Sequence, residues 1–121
     1  MPFPAEILDA HCVSLETFRR NGEPVRTPVW HIARNGRLYV NTGAGSAKVR
    51  RAVANPHVKL TPCTDAGELL GGWVEGSARL VTESALVAQV NAALLKKYSM
   101  SEDDVDDDPA VRCVLEVAPL N

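Results

Sequence analysis

Apolar and polar residues alternate along most of the chain, a pattern typical of β-strands with one buried face. The first alternating stretch runs from His11 to Arg20 and leads into the turn dipeptide Asn21-Gly22, so it predicts a strand that enters a hairpin. A second turn dipeptide, Asn35-Gly36, extends the hairpin into an antiparallel meander. The later strands are predicted at 25–33, 38–42, 58–63, 72–81 and 111–117.

Two segments change to the period of a helix. Ala47 to Asn55 is predicted as a short helix, with Ser46 as its N-cap and Pro56 as its stop. A longer helix is predicted from a Thr82 cap to Tyr98, because apolar residues recur there at every fourth position. The order β-β-β-α-β-β-α-β favours a mainly β fold, an antiparallel barrel of six strands with two flanking helices, over a sandwich with unprotected edges.

Length and composition predict one globular domain spanning 1–121, because 121 residues leave no room for a second core. The hydrophobic share of 45% and charged share of 23% are ordinary for a soluble protein. No apolar run approaches the roughly 18 residues that a membrane span requires. The first residues, MPFPAEILDAH, lack the basic and apolar pattern of a secretory signal. We therefore expect a cytoplasmic protein without a membrane partner.

The charges divide unevenly along the chain. Residues 1–60 carry nine Lys and Arg against four Asp and Glu, whereas 61–121 carry four against eleven. The acidic surplus comes largely from 102–108, which is typical of a solvated loop. The basic surplus includes Lys48, Arg50 and Arg51, and an anionic small molecule is its simplest partner. Nucleic acid is not expected, because the pI is about 5.9 and aromatic residues are few.

Residue types that carry catalysis are scattered. There are no paired carboxylates, no Ser-His-Asp order and no metal-ligand spacing, so neither a catalytic residue nor a metal is predicted. His31 is a candidate proton donor, although a structural role is favoured for it, as for His11 and His57. The cysteines are expected to be reduced and mostly buried. They are Cys12, Cys63 and Cys113.

The segment Gly43 to Arg51 has the composition of an anion cradle. Its two glycines permit a close approach of the main chain, and Ser46 opens the helix with a hydroxyl and free amides. Lys48 and Arg51 lie three residues apart, on one helical face. The segment matches neither a P-loop nor GxGxxG, and a solvated basic helix is the alternative interpretation.

The second predicted strand contains the run Thr27-Pro-Val-Trp30. Proline cannot donate to a ladder, so Pro28 indicates an edge or a bulge, where main-chain groups are free to pair with a ligand. Trp30 and Trp73 could flank a flat ring, although strand tryptophans are more often core residues. Protection of an edge strand against aggregation is the alternative role of Pro28.

Four motifs follow one another between residues 14 and 81: TPVW, TGAGSxKxxR, NPxV and a strand that ends in PC. In this order they resemble the deazaflavin (coenzyme F420)-dependent oxidoreductases of the pyridoxamine-phosphate-oxidase-like superfamily. The resemblance implies a split β-barrel that forms a homodimer, with two cofactor sites at the subunit interface.

The resemblance also implies roles for particular residues. The strand that lines the cofactor ring would consist of Thr27, Pro28, Val29 and Trp30. The phosphate ligands would be Thr42, Ser46, Lys48 and Arg51. Trp73 would approach from the other subunit. Related branches carry arginine where this chain has Ser46, and Arg50 or Arg51 is expected to compensate.

The function implied is hydride transfer from reduced coenzyme F420 to an unsaturated small molecule. In such enzymes the cofactor carries the chemistry, and the protein supplies orientation and electrostatics. FMN is the alternative cofactor in the same fold. A carrier that holds the deazaflavin without turnover is the alternative function, because a fold does not guarantee catalysis, and a ligand-free dimeric barrel is the third hypothesis.

Overall fold

The computed structural model describes residues 2–99 and 112–120. Within them the chain forms seven strands and three helices. The strands are β1 Cys12–Phe18, β2 Pro24–Val29, β3 Ile32–Arg34, β4 Arg37–Gly43, β5 His57–Cys63, β6 Val74–Leu80 and β7 Arg112–Pro119. The helices are α1 Ala5–Leu8, α2 Ala47–Ala54 and α3 Ser84–Lys97.

All seven strands belong to one antiparallel sheet with the order β2-β1-β5-β6-β7-β4-β3. Strands β2 and β3 lie at opposite ends of this order, yet only Trp30 and His31 separate them along the chain. Two residues can join the ends only if the sheet curls onto itself. The mainly β class and the antiparallel barrel are therefore confirmed.

The single strand predicted at 25–33 is wrong, because the structure divides it into β2 and β3. At the break, the amide of His31 donates to the Tyr98 hydroxyl (2.9 Å), and Lys97 donates to the His31 carbonyl (2.8 Å). Main-chain groups that bond to side chains of α3 cannot take part in a strand ladder. The strand count therefore becomes seven rather than six.

Alternate side chains of the strands fill the barrel interior. The buried core contains Phe3, Ile7, Val13, Leu15, Val29, Leu38, Val40, Val49, Ala52, Val58, Leu60, Ala78, Leu115 and Val117. Helix α2 contributes the interior residues Val49 and Ala52, and α1, which the sequence pattern does not predict, contributes Ile7. The predicted turns are confirmed, with positive φ at Gly22 (89°) and at Asn35 (54°) and Gly36 (75°).

Helix α3 covers the outer face of β4 and β7, where Val90 and Leu94 pack on Tyr39 and Val114. It begins at Ser84 with Glu83 at the N-cap position, so the predicted Thr82 cap is wrong. Strand β6 likewise begins two residues later than predicted. The preceding loop folds back over β5 instead, where the Leu70 amide donates to the Pro62 carbonyl (2.8 Å).

The acidic segment 102–108 and the first residue of the predicted last strand lie outside the described residues. Among the helices that are described, none is both long and apolar enough to cross a membrane.

Candidate functional site

The barrel is split between β2 and the end of β4. Strand β2 pairs only with β1, and β3 pairs with β4 only from Arg37 to Tyr39. On the edge of β4 that faces away from β7, residues 40–43 have no strand neighbour among the described residues. We call this gap the barrel split. Main-chain groups on both of its edges are left for other partners.

The predicted ring-binding residues lie on the β2 edge of the barrel split, so the edge position inferred from Pro28 is confirmed. Side chains alternate along this edge, with Thr27 half-buried, Pro28 exposed and Val29 buried. The opposing β1 residues are Leu15, Ser14 and Val13.

Trp30 follows directly after this edge and is 41% exposed. Its ring stacks on Tyr98, with centroids 4.4 Å apart and an interplanar angle of 3°. The indole N–H donates to Asp65 (2.8 Å), and His11 contacts the ring edge-on at 5.8 Å. One face of Trp30 is therefore occupied within the chain, and a ligand could use only the other.

Trp73 stands apart from Trp30. It is half-buried, and the Arg26 guanidinium lies 4.7 Å from its ring centroid in a cation–π contact. Arg26 in turn donates to the buried Glu16 carboxylate at 3.2 Å. Within the described part of the chain no direct aromatic contact joins the two tryptophans.

The start of α2 lies beside the β4 edge of the barrel split. Lys48 Nζ donates to the hydroxyl of Thr42 at 3.1 Å, and Thr42 is 5% exposed. The pKa of Lys48 is lowered by burial and then by the positive charges of Arg112 and Arg51. This ammonium is partly desolvated among like charges, and an anion would relieve both costs.

Ser46 occupies the predicted N-cap position of α2, but its hydroxyl makes no capping hydrogen bond. The Ser46 Oγ atom is buried and has no partner among the described residues. A buried hydroxyl without a partner costs free energy unless a ligand or water satisfies it. Ser46 lies two residues before Lys48 in the chain.

Arg51 points away from Lys48, toward β1. Its Nε donates to the Thr17 hydroxyl at 2.8 Å. Burial and the nearby Arg19 and Arg50 lower its pKa. Arg51 borders an open depression of about 690 Å³ that is lined by Phe18, Arg19, Arg20, Ala47, Arg50, Arg51, Ala54 and Asn55. The two predicted cationic ligands, Lys48 and Arg51, thus bond to different strands, β4 and β1, and the prediction that they act on one helical face is wrong.

Arg112 is a site residue that the sequence pattern does not reveal. It begins β7 directly opposite Gly43 of β4, and its Nε donates to the Asn41 side chain at 2.8 Å. Only the pairing of β4 with β7 brings it near Lys48. No carboxylate within the described residues lies within 4.0 Å of Lys48, Arg51 or Arg112.

An apolar cleft opens beside Arg112, between the start of α3 and the strands β6 and β7. Its volume is about 490 Å³, within the range of about 300–1,000 Å³ that holds small molecules. It is lined by Leu80, Val81, Thr82, Ser84, Val87, Ala88, Arg112, Cys113 and Val114. We call it the α3 cleft.

His31 is fully buried, with Nε2 3.2 Å from the Ile7 carbonyl. Burial, followed by the charge of Lys97, lowers its pKa to about 4. A neutral, enclosed imidazole at neutral pH fits the structural role that was favoured for it. Residues 2–99 and 112–120 contain no His, Cys, Asp and Glu group arranged for a metal ion.

A curled antiparallel barrel that is open along one edge, with a cationic helix start beside the opening, defines the split-barrel class of cofactor-binding proteins. A family model described as pyridoxamine 5'-phosphate oxidase matches residues 4–121. The chain belongs to that family, and the resemblance of its motifs to the pyridoxamine-phosphate-oxidase-like superfamily is confirmed. No curated protein matches the sequence.

Solved structures with the same fold carry different descriptions. A conserved hypothetical protein from Mycobacterium tuberculosis is 22% identical, with a TM-score of 0.76 over 100% of this chain and 82% of that one. An F420 reductase is 19% identical, with a TM-score of 0.70 over 100% and 97%. A heme storage protein from Vibrio cholerae is 17% identical, with a TM-score of 0.75 over 100% and 92%. At these identities the likeness establishes the fold alone.

Proposed function

We propose that this chain is a coenzyme F420-dependent oxidoreductase that reduces an unsaturated small molecule. The observation that carries the proposal is the polar group at the start of α2. There a buried hydroxyl without a described partner, Ser46, lies two residues before the partly desolvated cation Lys48 in the chain. A redox cofactor with an anionic tail would supply acceptors and negative charge to both.

The residues present fit such a cofactor. Thr42, Ser46 and Lys48 would hold its phosphate, and Arg112 adds a positive charge that the sequence alone does not predict. Arg51 and the arginine-lined depression beside it would neutralise a longer anionic tail. The edge of β2 offers main-chain donors and acceptors to a flat ring with amide-like edges.

The reduced deazaflavin supplies a hydride when it is bound. The chain's own residues bind the cofactor, orient it and exclude water. The cations fix the anionic tail, the β2 edge fixes the plane of the ring, and the apolar core beneath Val29 keeps water from one side. No protein nucleophile or metal ligand is assigned a step.

We assign the acceptor to the α3 cleft. Its apolar lining suits an unsaturated small molecule, and Arg112, which lies between the cleft and Lys48, suits one that carries a negative charge. A larger side chain at Ala88, which is exposed on α3 and lines the cleft, would fill this volume while leaving the start of α2 intact.

The working unit is proposed to be a homodimer with a cofactor at each end of the interface. In one copy the barrel split is open, and only one face of Trp30 is covered. A second copy would close the split and could bring its own Trp73 to the ring. Sedimentation with and without cofactor tests this, and a monomer that binds and turns over would reject it.

The first experiment is a pair of fluorescence titrations at fixed salt, with coenzyme F420 and with FMN. Lys48→Ala should weaken binding of the preferred cofactor about 10- to 100-fold, because a charge-assisted hydrogen bond contributes about 1.5–3 kcal/mol. Lys96→Ala, an exposed lysine on α3, is the matched control and should bind like the wild type.

The outcomes separate the hypotheses. Preference for FMN replaces the cofactor but keeps the site, provided that Lys48→Ala still weakens binding. Tight binding without oxidation of reduced F420 by a broad panel of acceptors supports a carrier. Equal binding by wild type and Lys48→Ala overturns the site. Ala88→Trp should keep cofactor binding and lose turnover, and unchanged turnover would reject the α3 cleft.

A further inference from the structure

Two of the three cysteines face each other across the first rung of a strand pair. Cys12 is the first residue of β1 and Cys63 is the last residue of β5, and the two are directly opposed in the register. Their sulfur atoms are 3.5 Å apart. The side chains are buried, at 2% and 3% exposure. Cys113, on β7, is half-buried elsewhere.

This placement meets the geometric requirements of a disulfide. Directly opposed residues of antiparallel strands have Cα atoms about 4.5 or 5.5 Å apart. A disulfide spans Cα separations of about 4.4–6.8 Å. The sulfurs must close from 3.5 Å to a bond of about 2.05 Å, which rotation about the Cα–Cβ bonds can provide. The backbone pairing of β1 with β5 can therefore remain.

We propose that Cys12 and Cys63 form an oxidisable pair that a hydroperoxide converts into an intramolecular disulfide. One thiolate attacks the peroxide oxygen and gives a sulfenic acid with release of water or alcohol. The second thiolate then attacks that sulfur, forms the S–S bond and expels the hydroxyl group as water. In total two thiols lose two hydrogens, and one peroxide is reduced.

The surroundings keep both thiols unreactive while the structure is closed. Burial, followed by the contact with Cys63, raises the pKa of Cys12 to about 12, so little thiolate is present in the closed structure. Reaction requires the strand ends to open. The pair is the terminal rung of the β1–β5 ladder. Beyond Cys63 the chain turns back along β5, where the Leu70 amide donates to the Pro62 carbonyl and the Thr61 hydroxyl donates to the Gly71 carbonyl. Opening therefore has to break these bonds, on a loop whose Leu70 is 62% exposed.

Closure of the pair would tie β1 to β5 next to the candidate ring site. Val13, the residue after Cys12, opposes Val29 of the β2 edge, and His11 contacts Trp30. The crosslink would also close a long loop of chain, which stabilises a protein by constraining its unfolded state. Oxidation is therefore expected to raise the melting temperature of the protein.

The test treats the full chain with excess hydrogen peroxide, quenches it, and alkylates it in denaturant. The expected product has lost two hydrogens by intact mass, alkylates at one cysteine instead of three, and yields a linked peptide pair containing Cys12 and Cys63. Dithiothreitol should restore three alkylatable thiols. Cys113→Ser should close in the same way, and Cys63→Ser should not.

Other products overturn the proposal. These are a crosslink through Cys113, a disulfide between two chains, or oxygen added to Cys12 and Cys63 without a bond between them. Three alkylatable thiols after the folded protein has been held in peroxide also overturn it. The peptide map of the wild type decides the question even if Cys63→Ser does not fold, and none of these results depends on cofactor binding.

Discussion

Two cationic regions of this barrel differ in whether a carboxylate neutralises their positive charges. Beneath α3, the buried carboxylate of Glu116 accepts from Arg37 (3.2 Å), Arg79 (3.0 Å) and the Tyr39 hydroxyl (2.9 Å). At the start of α2, Lys48, Arg51 and Arg112 have no carboxylate within 4.0 Å among the described residues. The first region is satisfied internally, whereas the described residues supply no carboxylate to the second.

The pKa shifts of Glu116 and Lys48 show the same contrast between the two regions. Burial alone would raise the pKa of Glu116, but Arg79, Tyr39 and Arg37 together hold it below its ordinary value. The pKa of Lys48 is lowered by burial and by other cations. A charge that its neighbours stabilise supports the fold, whereas one that burial and its neighbours destabilise is a candidate for ligand binding. We infer structure from the first and function from the second.

The strongest test of this comparison removes the carboxylate. Glu116→Gln should lower the free energy of unfolding by about 1.5–3 kcal/mol, because the buried carboxylate loses its charge-assisted hydrogen bonds to the half-exposed Arg37 and Arg79. Cofactor affinity should not change. Urea unfolding measures the first and titration the second. Glu75→Gln, whose carboxylate is 57% exposed beside His57, should change stability by less than about 1 kcal/mol, and an equal loss in both variants would contradict the contrast.

Acid should lower the free energy of unfolding through His31, whose main-chain carbonyl accepts a hydrogen bond from Lys97 of α3. Its pKa falls from 6.5 to about 4 on folding, so the unfolded state takes up the proton first as pH decreases. The stabilisation that depends on a neutral His31 is complete above pH 6.5. It is lost as the pH falls from 6.5 to about 4, and the loss is at most about 3 kcal/mol. His31→Gln should flatten stability over this window, and His57→Gln should not. A wild-type stability that is constant from pH 6.5 to 4.5 would refute the assignment.

Tyr98→Phe tests whether α3 causes the break between β2 and β3. The hydroxyl accepts from the His31 amide (2.9 Å), and the carbonyls of His11 (2.7 Å) and His31 (2.9 Å) share its single proton. Its removal should cost about 1–2 kcal/mol of unfolding free energy, while the phenyl ring keeps the stack on Trp30. Faster amide exchange at His31 is expected. Unchanged exchange there would show that Lys97 and the chain itself hold the break.

The smallest effect on stability is expected at the start of α2. Ser46→Ala should change the unfolding free energy by less than about 0.5 kcal/mol, although the loss of a capping serine usually costs about 1 kcal/mol, because this hydroxyl caps nothing. Cofactor affinity should fall about fivefold, as for one neutral hydrogen bond. Ser77→Ala on β6 is the control for binding. A stability loss near 1 kcal/mol without weaker binding would assign Ser46 to capping.

Local patterns were sufficient for most elements of the fold. Helix α2 ends within one residue of its prediction, since Ser46 and Pro56 bracket it chemically. The break at Trp30 and His31 could not be predicted from alternation, because β-forming residues continue through it and the competing partners, Tyr98 and Lys97, are more than sixty residues away. The start of α3 was predicted one residue early, because Thr82 is the better cap by residue type, whereas the structure has Glu83 at that position, bonded to Arg79.

The candidate site divides in the same way. Residue chemistry alone predicts a strand edge at Pro28 and a basic helix start in the segment from Gly43 to Arg51. The structure has both features beside the barrel split. The sequence does not reveal Arg112, the separate directions of Lys48 and Arg51, or the occupied face of Trp30. Each of these depends on which strands are neighbours, which no local spacing encodes.

By itself, then, the sequence determined the class of fold, most turns, the basic helix and the family, because residue chemistry and short-range periodicity act within a few residues. Only the tertiary structure decided which cations have a carboxylate partner among the described residues. Closing the sheet brings β7 beside β4 and β1 beside β5, and burial there changes the cost of every charge and thiol that it encloses.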